Sequence, residues 1–81
     1  MIKISDILLS RKFRHTHRLF LIACLNIPFF INRKIEDQSI LSSISMKSIH
    51  RIKTDFIDMG IIKIHDTKDI EIDYAVLKKI L

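Results

Sequence analysis

Between Ser45 and Ile62 the chain reads SMKSIHRIKTDFIDMGII, and its hydrophobic period changes at the one glycine it contains. Before that glycine, Ile49, Ile52, Phe56 and Met59 recur at spacings that put them on one stripe of an α-helix, which is expected to face a core. Lys47, His50, Arg51 and Thr54 are displaced from the stripe by roughly half a turn at ~100° per residue, so the opposite face is cationic and hydrogen-bonding. Ser45 is the candidate N-cap and Ser48 the alternative. Gly60 is the residue type that accepts a left-handed conformation after a helix. Beyond it Ile62, Ile64, Ile70, Ile72 and Tyr74 alternate with Lys63, His65, Glu71 and Asp73, the period of half-buried strands. Asp66, Thr67, Lys68 and Asp69 then close a β-hairpin with a short polar loop.

Upstream, Ile40, Leu41 and Ile44 have helical spacing, and Asp37 stands before them as the candidate cap of a short helix. Helices only a few residues apart must cross steeply to share a core. A plain helical hairpin accounts for the pair equally well; the glycine and the hairpin beyond it shift the balance. Helix, turn, longer helix, glycine and hairpin together resemble the winged helix-turn-helix domains of bacterial and archaeal transcription regulators of the MarR and ArsR type. Ile44, Ser45, Ile49, Phe56, Gly60, Ile61 and Ile62 carry the resemblance, which spans roughly residues 15 to 74. The chain departs from the pattern at Ser43, where a glycine is usual, at Ser42, where an apolar residue is usual, and at Lys53, where a leucine is usual.

The resemblance implies a mainly helical α+β fold: a single winged helix-turn-helix domain over 1–81, with a three-helix core, a hairpin wing and flanking terminal helices. Its parts would be an N-terminal helix or arm at 1–13, a helical core at 14–62, the wing at 62–74 and a C-terminal helix at 75–81. In that family the helix before the glycine enters the DNA major groove and the wing flanks it along the backbone. Carried over, Ser45, Met46, Lys47, Ser48, His50, Arg51 and Thr54 become DNA contacts, and Lys68 at the loop tip a backbone contact. Double-stranded DNA is thus the expected partner, with transcription regulation as the function.

The 81 residues suffice for one domain with a small core, and 48% hydrophobic residues argue against disorder. A net charge of +5 fits an anionic partner without choosing nucleic acid over an acidic protein or a lipid. The single cysteine, Cys24, sits in an apolar segment with no CxxC motif, so packing and a reducing, cytoplasmic setting are expected. Met1 to Ser10 carries Lys3 and Asp6 and lacks a signal-peptide pattern.

Residues 19–31, LFLIACLNIPFFI, form the longest apolar run. At ~1.5 Å per residue they would reach only about 20 Å of the ~30 Å hydrocarbon core, and Asn26 and Pro28 interrupt them, so a membrane span is not expected. The spacing predicts a helix from about Arg14 to Leu25, then a strand over Phe29 to Lys34 that pairs with the hairpin. Ile4, Ile7 and Leu8 predict a short helix capped by Ser5. In the basic run that follows, Arg11, Arg14 and Arg18 can share a helical face and contact the DNA backbone, or simply solvate the surface.

His15 and His17 form an HxH pair, but residues two apart on a helix diverge by ~200°, and no cluster with metal-ligand spacing completes a site. No nucleophile elbow, glycine-rich phosphate loop or HExxH motif occurs, so neither catalysis nor a cofactor or metal is expected. A homodimer is expected, built on the N-terminal helix and the segment Tyr74 to Leu81, where Val76, Leu77, Ile80 and Leu81 are apolar. The rival reading is a winged-helix adaptor that binds a transcription or replication factor. Its motive is the acidic wing, in which Asp66, Asp69, Glu71 and Asp73 outnumber Lys63 and Lys68.

Overall fold

Phe56 is fully buried, and its ring meets those of Phe13, His17 and Phe20 at centroid distances of 5.7, 5.4 and 6.0 Å. Phe20 continues the cluster to Phe30 at 5.4 Å. Around these rings pack Ile7, Leu21, Ile44, Ile49, Ile52, Ile61, Ile62, Ile72 and Leu77, so every helix but one contributes a fully enclosed apolar side chain to a common core. The exception is the helix that buries Gln38, which brings only the half-buried Ile35 against that core.

The computed structural model describes residues 2–81, which form a mainly helical α+β domain. In chain order the elements are α1 (Ile4–Leu9), α2 (His15–Asn26), a 3-10 turn (Phe30–Asn32), α3 (Ile35–Ser42), α4 (Met46–Asp58), β1 (Ile62–Ile64), β2 (Ile70–Ile72) and α5 (Tyr74–Ile80). The helices α2, α3 and α4 pack on one another, α1 leans on α2, and the hairpin joins the end of α4. The strands pair antiparallel, with Ile62 opposite Ile72 and Ile64 opposite Ile70.

α4 follows the apolar stripe closely. Ile49, Ile52 and Phe56 are buried, and Ser45 caps the helix by accepting the Ser48 amide at 3.2 Å. Met59, expected on the same stripe, is 39% exposed because it lies at the C-cap, where the chain is already leaving the helical path. Gly60 takes φ +79°, its amide donates to Ile57 O, and the Ile61 amide reaches back to Phe56 O at 2.9 Å. This pair of bonds is a Schellman closure, which satisfies carbonyls that would otherwise be orphaned and aims Ile61 at the core.

Elsewhere the local expectations need correction. Asp37 is not a cap: α3 starts at Ile35 with Lys34 at the N-cap, and Asp37 sits in the first turn, where its charge suits the positive end of the helix dipole. Ser5 lies inside α1, whose N-cap is Lys3; the Asp6 carboxylate accepts the Lys3 amide at 2.9 Å. Tyr74 opens α5 instead of ending the hairpin, because the Asp73 side chain accepts from the Ala75 and Val76 amides and starts a helix there. The strand expected over Phe29 to Lys34 is the 3-10 turn. Phe29 leaves extended geometry at φ 56°, and the Gln38 carboxamide nitrogen gathers the carbonyls of Phe30, Ile31 and Arg33 at 3.0 to 3.1 Å, which curls them inward. The pairing with the hairpin survives in another form: the Asn32 side chain donates to Ile70 O at 3.0 Å and accepts from Ile70 N at 2.9 Å.

The positions that departed from the family pattern are accommodated individually. Ser43 adopts φ 61°, the left-handed conformation a glycine would take. The Ser42 hydroxyl donates to Gln38 O at 2.6 Å and accepts the Ile44 amide, bridging the turn into α4. Lys53 is half-buried beside Cys24, and burial lowers its pKa. The same burial pushes the Cys24 thiol up to about 12, with Lys53 pulling the other way, so the group stays a protonated packing element at neutral pH.

Candidate nucleic-acid interface

Lys47, His50, Arg51 and Thr54 all lie exposed on α4, on the side away from Ile49, Ile52 and Phe56. Ser45 and Met46 are exposed at the start of the helix, and Ser48 is half-buried. Their polar atoms are not equally free. Ser45 Oγ and Ser48 Oγ lie 2.9 Å apart in the cap, and the Thr54 hydroxyl donates to His50 O at 3.0 Å, so these three serve the helix first. The side chains of Lys47, His50 and Arg51 make no hydrogen bond or ion pair among the described residues, which leaves their polar ends available to a ligand.

The basic N-terminal run reaches this face by a route the sequence spacing did not show. Arg11 lies in a bend, Arg14 is the residue before α2, and only Arg18 lies within that helix, so the three do not share a helical face. Arg18 is half-buried with its Nε shielded and unpartnered, and Arg11 is exposed. Lys12 and Arg14 instead line one hollow of about 560 Å³ together with Arg51 of α4. Lys12 was missed because helical spacing from Arg11 skips it; the bend over residues 11–13 is what turns it toward α4. Asp55 and Asp58 line the same hollow, so its field is mixed, and Asp55 is engaged with His17.

That engagement is a second feature the sequence did not reveal. His17 is buried, its Nε2 donates to Asp55 Oδ2 at 2.8 Å, and its ring stands edge-on to Phe56. It ties α2 to the outward side of α4 one turn beyond Arg51. His15, two residues earlier, is exposed, so the HxH pair diverges as helical geometry requires. No group of three metal-ligating side chains occurs among the described residues.

Lys68 sits at the exposed hairpin tip with φ 68°, and the Lys68 amide donates to His65 O at 2.8 Å. The His65 amide in turn bonds Asp69 O, giving a three-residue loop whose left-handed position is filled by lysine in place of the usual glycine. The acidity of the hairpin is partly spent internally. Lys63 Nζ lies 2.6 Å from Asp73 Oδ2 and His65 Nε2 contacts Glu71, leaving Asp66 and Asp69 as its outward carboxylates. Asp73 holds the Lys63 ammonium above its ordinary pKa, and Lys63 together with the α5 amides holds the Asp73 carboxyl below its own.

Compared with known proteins, the chain matches no family model, no curated protein and no solved structure. No helix among the described residues is long and apolar enough to cross a membrane.

Proposed function

We propose that this chain is a winged helix-turn-helix regulator that binds double-stranded DNA, with α4 in the major groove and the β1–β2 hairpin as its wing. The observation that carries the reading is the division of α4: Ile49 and Phe56 are 0% exposed while Lys47, His50, Arg51 and Thr54 lie open on the other side. A helix so divided, introduced by a tight turn from a shorter helix and closed by a glycine into a hairpin, has the dimensions and polarity to enter a groove about 12 Å wide. In this reading Arg51 and Lys47 supply base-edge or phosphate contacts, His50 and Thr54 add hydrogen bonds, and Lys12 and Arg14 neutralise backbone phosphate beside Arg51.

The test is a gel shift with random duplex and with the gene's own upstream DNA at two salt concentrations. Binding should weaken with salt, and Arg51→Ala should cost ~1 to 3 kcal/mol on the preferred duplex with an unchanged circular dichroism spectrum. Arg14→Ala should weaken both duplexes alike and flatten the salt dependence. Failure of the intact chain to bind either duplex at low salt would eliminate the reading.

A second reading, a winged-helix adaptor for another protein, is favoured by one feature. α3 turns Ile40 and Leu41 outward at 77% and 46% exposure, on a helix whose first turn is acidic. Apolar side chains held in the open are what a protein partner would cover. Loss of DNA binding together with partner binding that Ile40→Lys abolishes would establish this reading over the first.

A further inference from the structure

Between the 3-10 turn and β2 lies a hollow of about 310 Å³, bordered by Tyr74 at the start of α5. Two of the rings that line it are left in water: Phe29 is 83% exposed and Tyr74 44%. Phe29 is disfavoured twice over, because its backbone stands at φ 56°, in the left-handed region that L residues rarely adopt, while its ring gains no burial. A glycine would make the same turn without strain. The hollow is also distinctive in charge. The chain carries +5 overall, yet Glu71 is the one charged residue among the described residues that line this hollow. Its Oε2 contacts His65 Nε2, while its Oε1 makes no hydrogen bond among the described residues. The Asn32 carboxamide already has both its oxygen and its nitrogen on Ile70. Cys24 adds a neutral thiol to the wall, since burial pushes its pKa up to about 12.

Aromatic faces attract a cation through the ring quadrupole, and a carboxylate beside them adds its own field. A primary ammonium or a guanidinium brings several N–H donors that are costly to leave unbonded away from water, and this hollow has too few free acceptors for them. A cation whose nitrogen is wrapped in methyl groups has no donor to satisfy. We propose that the hollow binds a small quaternary ammonium compound, with Phe29 and Tyr74 beside the methylated nitrogen and Glu71 facing its charge. A small volume, a largely apolar and aromatic lining and a single charged group are the properties of a site for a small molecule. The site shares no residue with the exposed face of α4, so it goes beyond the DNA-binding reading and is tested without DNA.

The experiment is a titration of the full chain with choline chloride, followed by ligand-observed NMR, with sodium chloride matched for ionic strength as the blank. Saturation transferred from the protein should reach the choline methyl protons, with a dissociation constant of about 1 mM. Tyr74 is the only tyrosine and the chain has no tryptophan, so tyrosine emission reports this hollow and should change over the same range. Phe29→Leu keeps an apolar side chain but removes the ring, and Glu71→Gln removes only the charge. Each should raise the dissociation constant by about fivefold or more, with an unchanged circular dichroism spectrum because both side chains are exposed. The neutral isostere of choline, with carbon in place of nitrogen, should bind about tenfold more weakly or worse. Should Phe29→Leu disturb the 3-10 turn, Glu71→Gln and the isostere still decide the matter. No transfer to choline at about ten times the expected dissociation constant would overturn the proposal. So would an isostere that binds as tightly as choline, which would make the hollow merely apolar, or a folded Glu71→Gln variant that binds choline like the native chain.

Discussion

α3 and α4 stand either side of the same short turn, yet they divide inside from outside in opposite ways. α4 buries isoleucines and a phenylalanine and turns cations outward. α3 buries Gln38 completely and turns Ile40 and Leu41 outward. The difference lies in what each helix packs against. α4 meets side chains, so its buried positions are won by apolar area. α3 also packs on α2 and α4, but at Gln38 it meets the curled backbone around the 3-10 turn, and a carboxamide donor is the side chain that answers the carbonyls there. Hydrophobic spacing reports the first kind of neighbour and is blind to the second.

The contrast can be broken by mutation, most severely on the α4 side. Phe56→Ala removes a fully buried ring from the centre of the aromatic cluster and should cost ~3 to 5 kcal/mol, enough to unfold much of so small a domain. Urea unfolding would show this as a large fall in midpoint. On α3 the corresponding loss comes from a polar residue: Gln38→Ala removes the donor shared by three carbonyls, of which only Phe30 O keeps a backbone partner in the Arg33 amide, and should cost about 1 to 3 kcal/mol, read from the same titration at an unchanged slope. If Gln38→Ala were neutral, the carboxamide would not be what holds α3, and the contrast would collapse.

Smaller effects sharpen the comparison. Ser43 ends α3 at φ 61°, so Ser43→Gly should relieve left-handed strain and raise stability by about 0.5 to 1 kcal/mol, measurable as a higher melting temperature. Smallest of all, Ile40→Lys should change stability by no more than ~0.5 kcal/mol, because the side chain is already 77% exposed. A large loss there would mean that Ile40 is covered in solution.

Where an element is decided by side-chain area or by a capping residue, the sequence was legible. The stripe of α4, the Ser45 cap, the Gly60 stop, the helix ending before Pro28 and the antiparallel hairpin can all be read from spacing and residue type. Of the candidate DNA-contacting residues, Lys47, His50, Arg51 and Thr54 share one open face of α4 while Ser48 is half-buried, and Arg11, Arg14 and Arg18 do not form the expected row. That failure has a local cause: Phe13 is drawn into the core against Phe56, which bends the chain where a continuous helix would have aligned the arginines. His17 and Asp55 lie 38 residues apart, and no local pattern announces such a pair. The strand expected at Phe29 to Lys34 failed because Phe29 and Gln38, neither of which looks like a turn signal, jointly curl the backbone.

Asn32 carries a consequence for motion. A third strand would hold the hairpin along a line of backbone bonds, so that tilting it would mean breaking several together. Here one carboxamide replaces that line at Ile70, and the base of the hairpin is held instead by the buried Ile62 and Ile72 side chains and by the Asp73 amide on Ile61 O. The restraint is therefore graded along the hairpin: firm where its isoleucines enter the core, and absent at the exposed loop that carries Lys68 and the outward carboxylates.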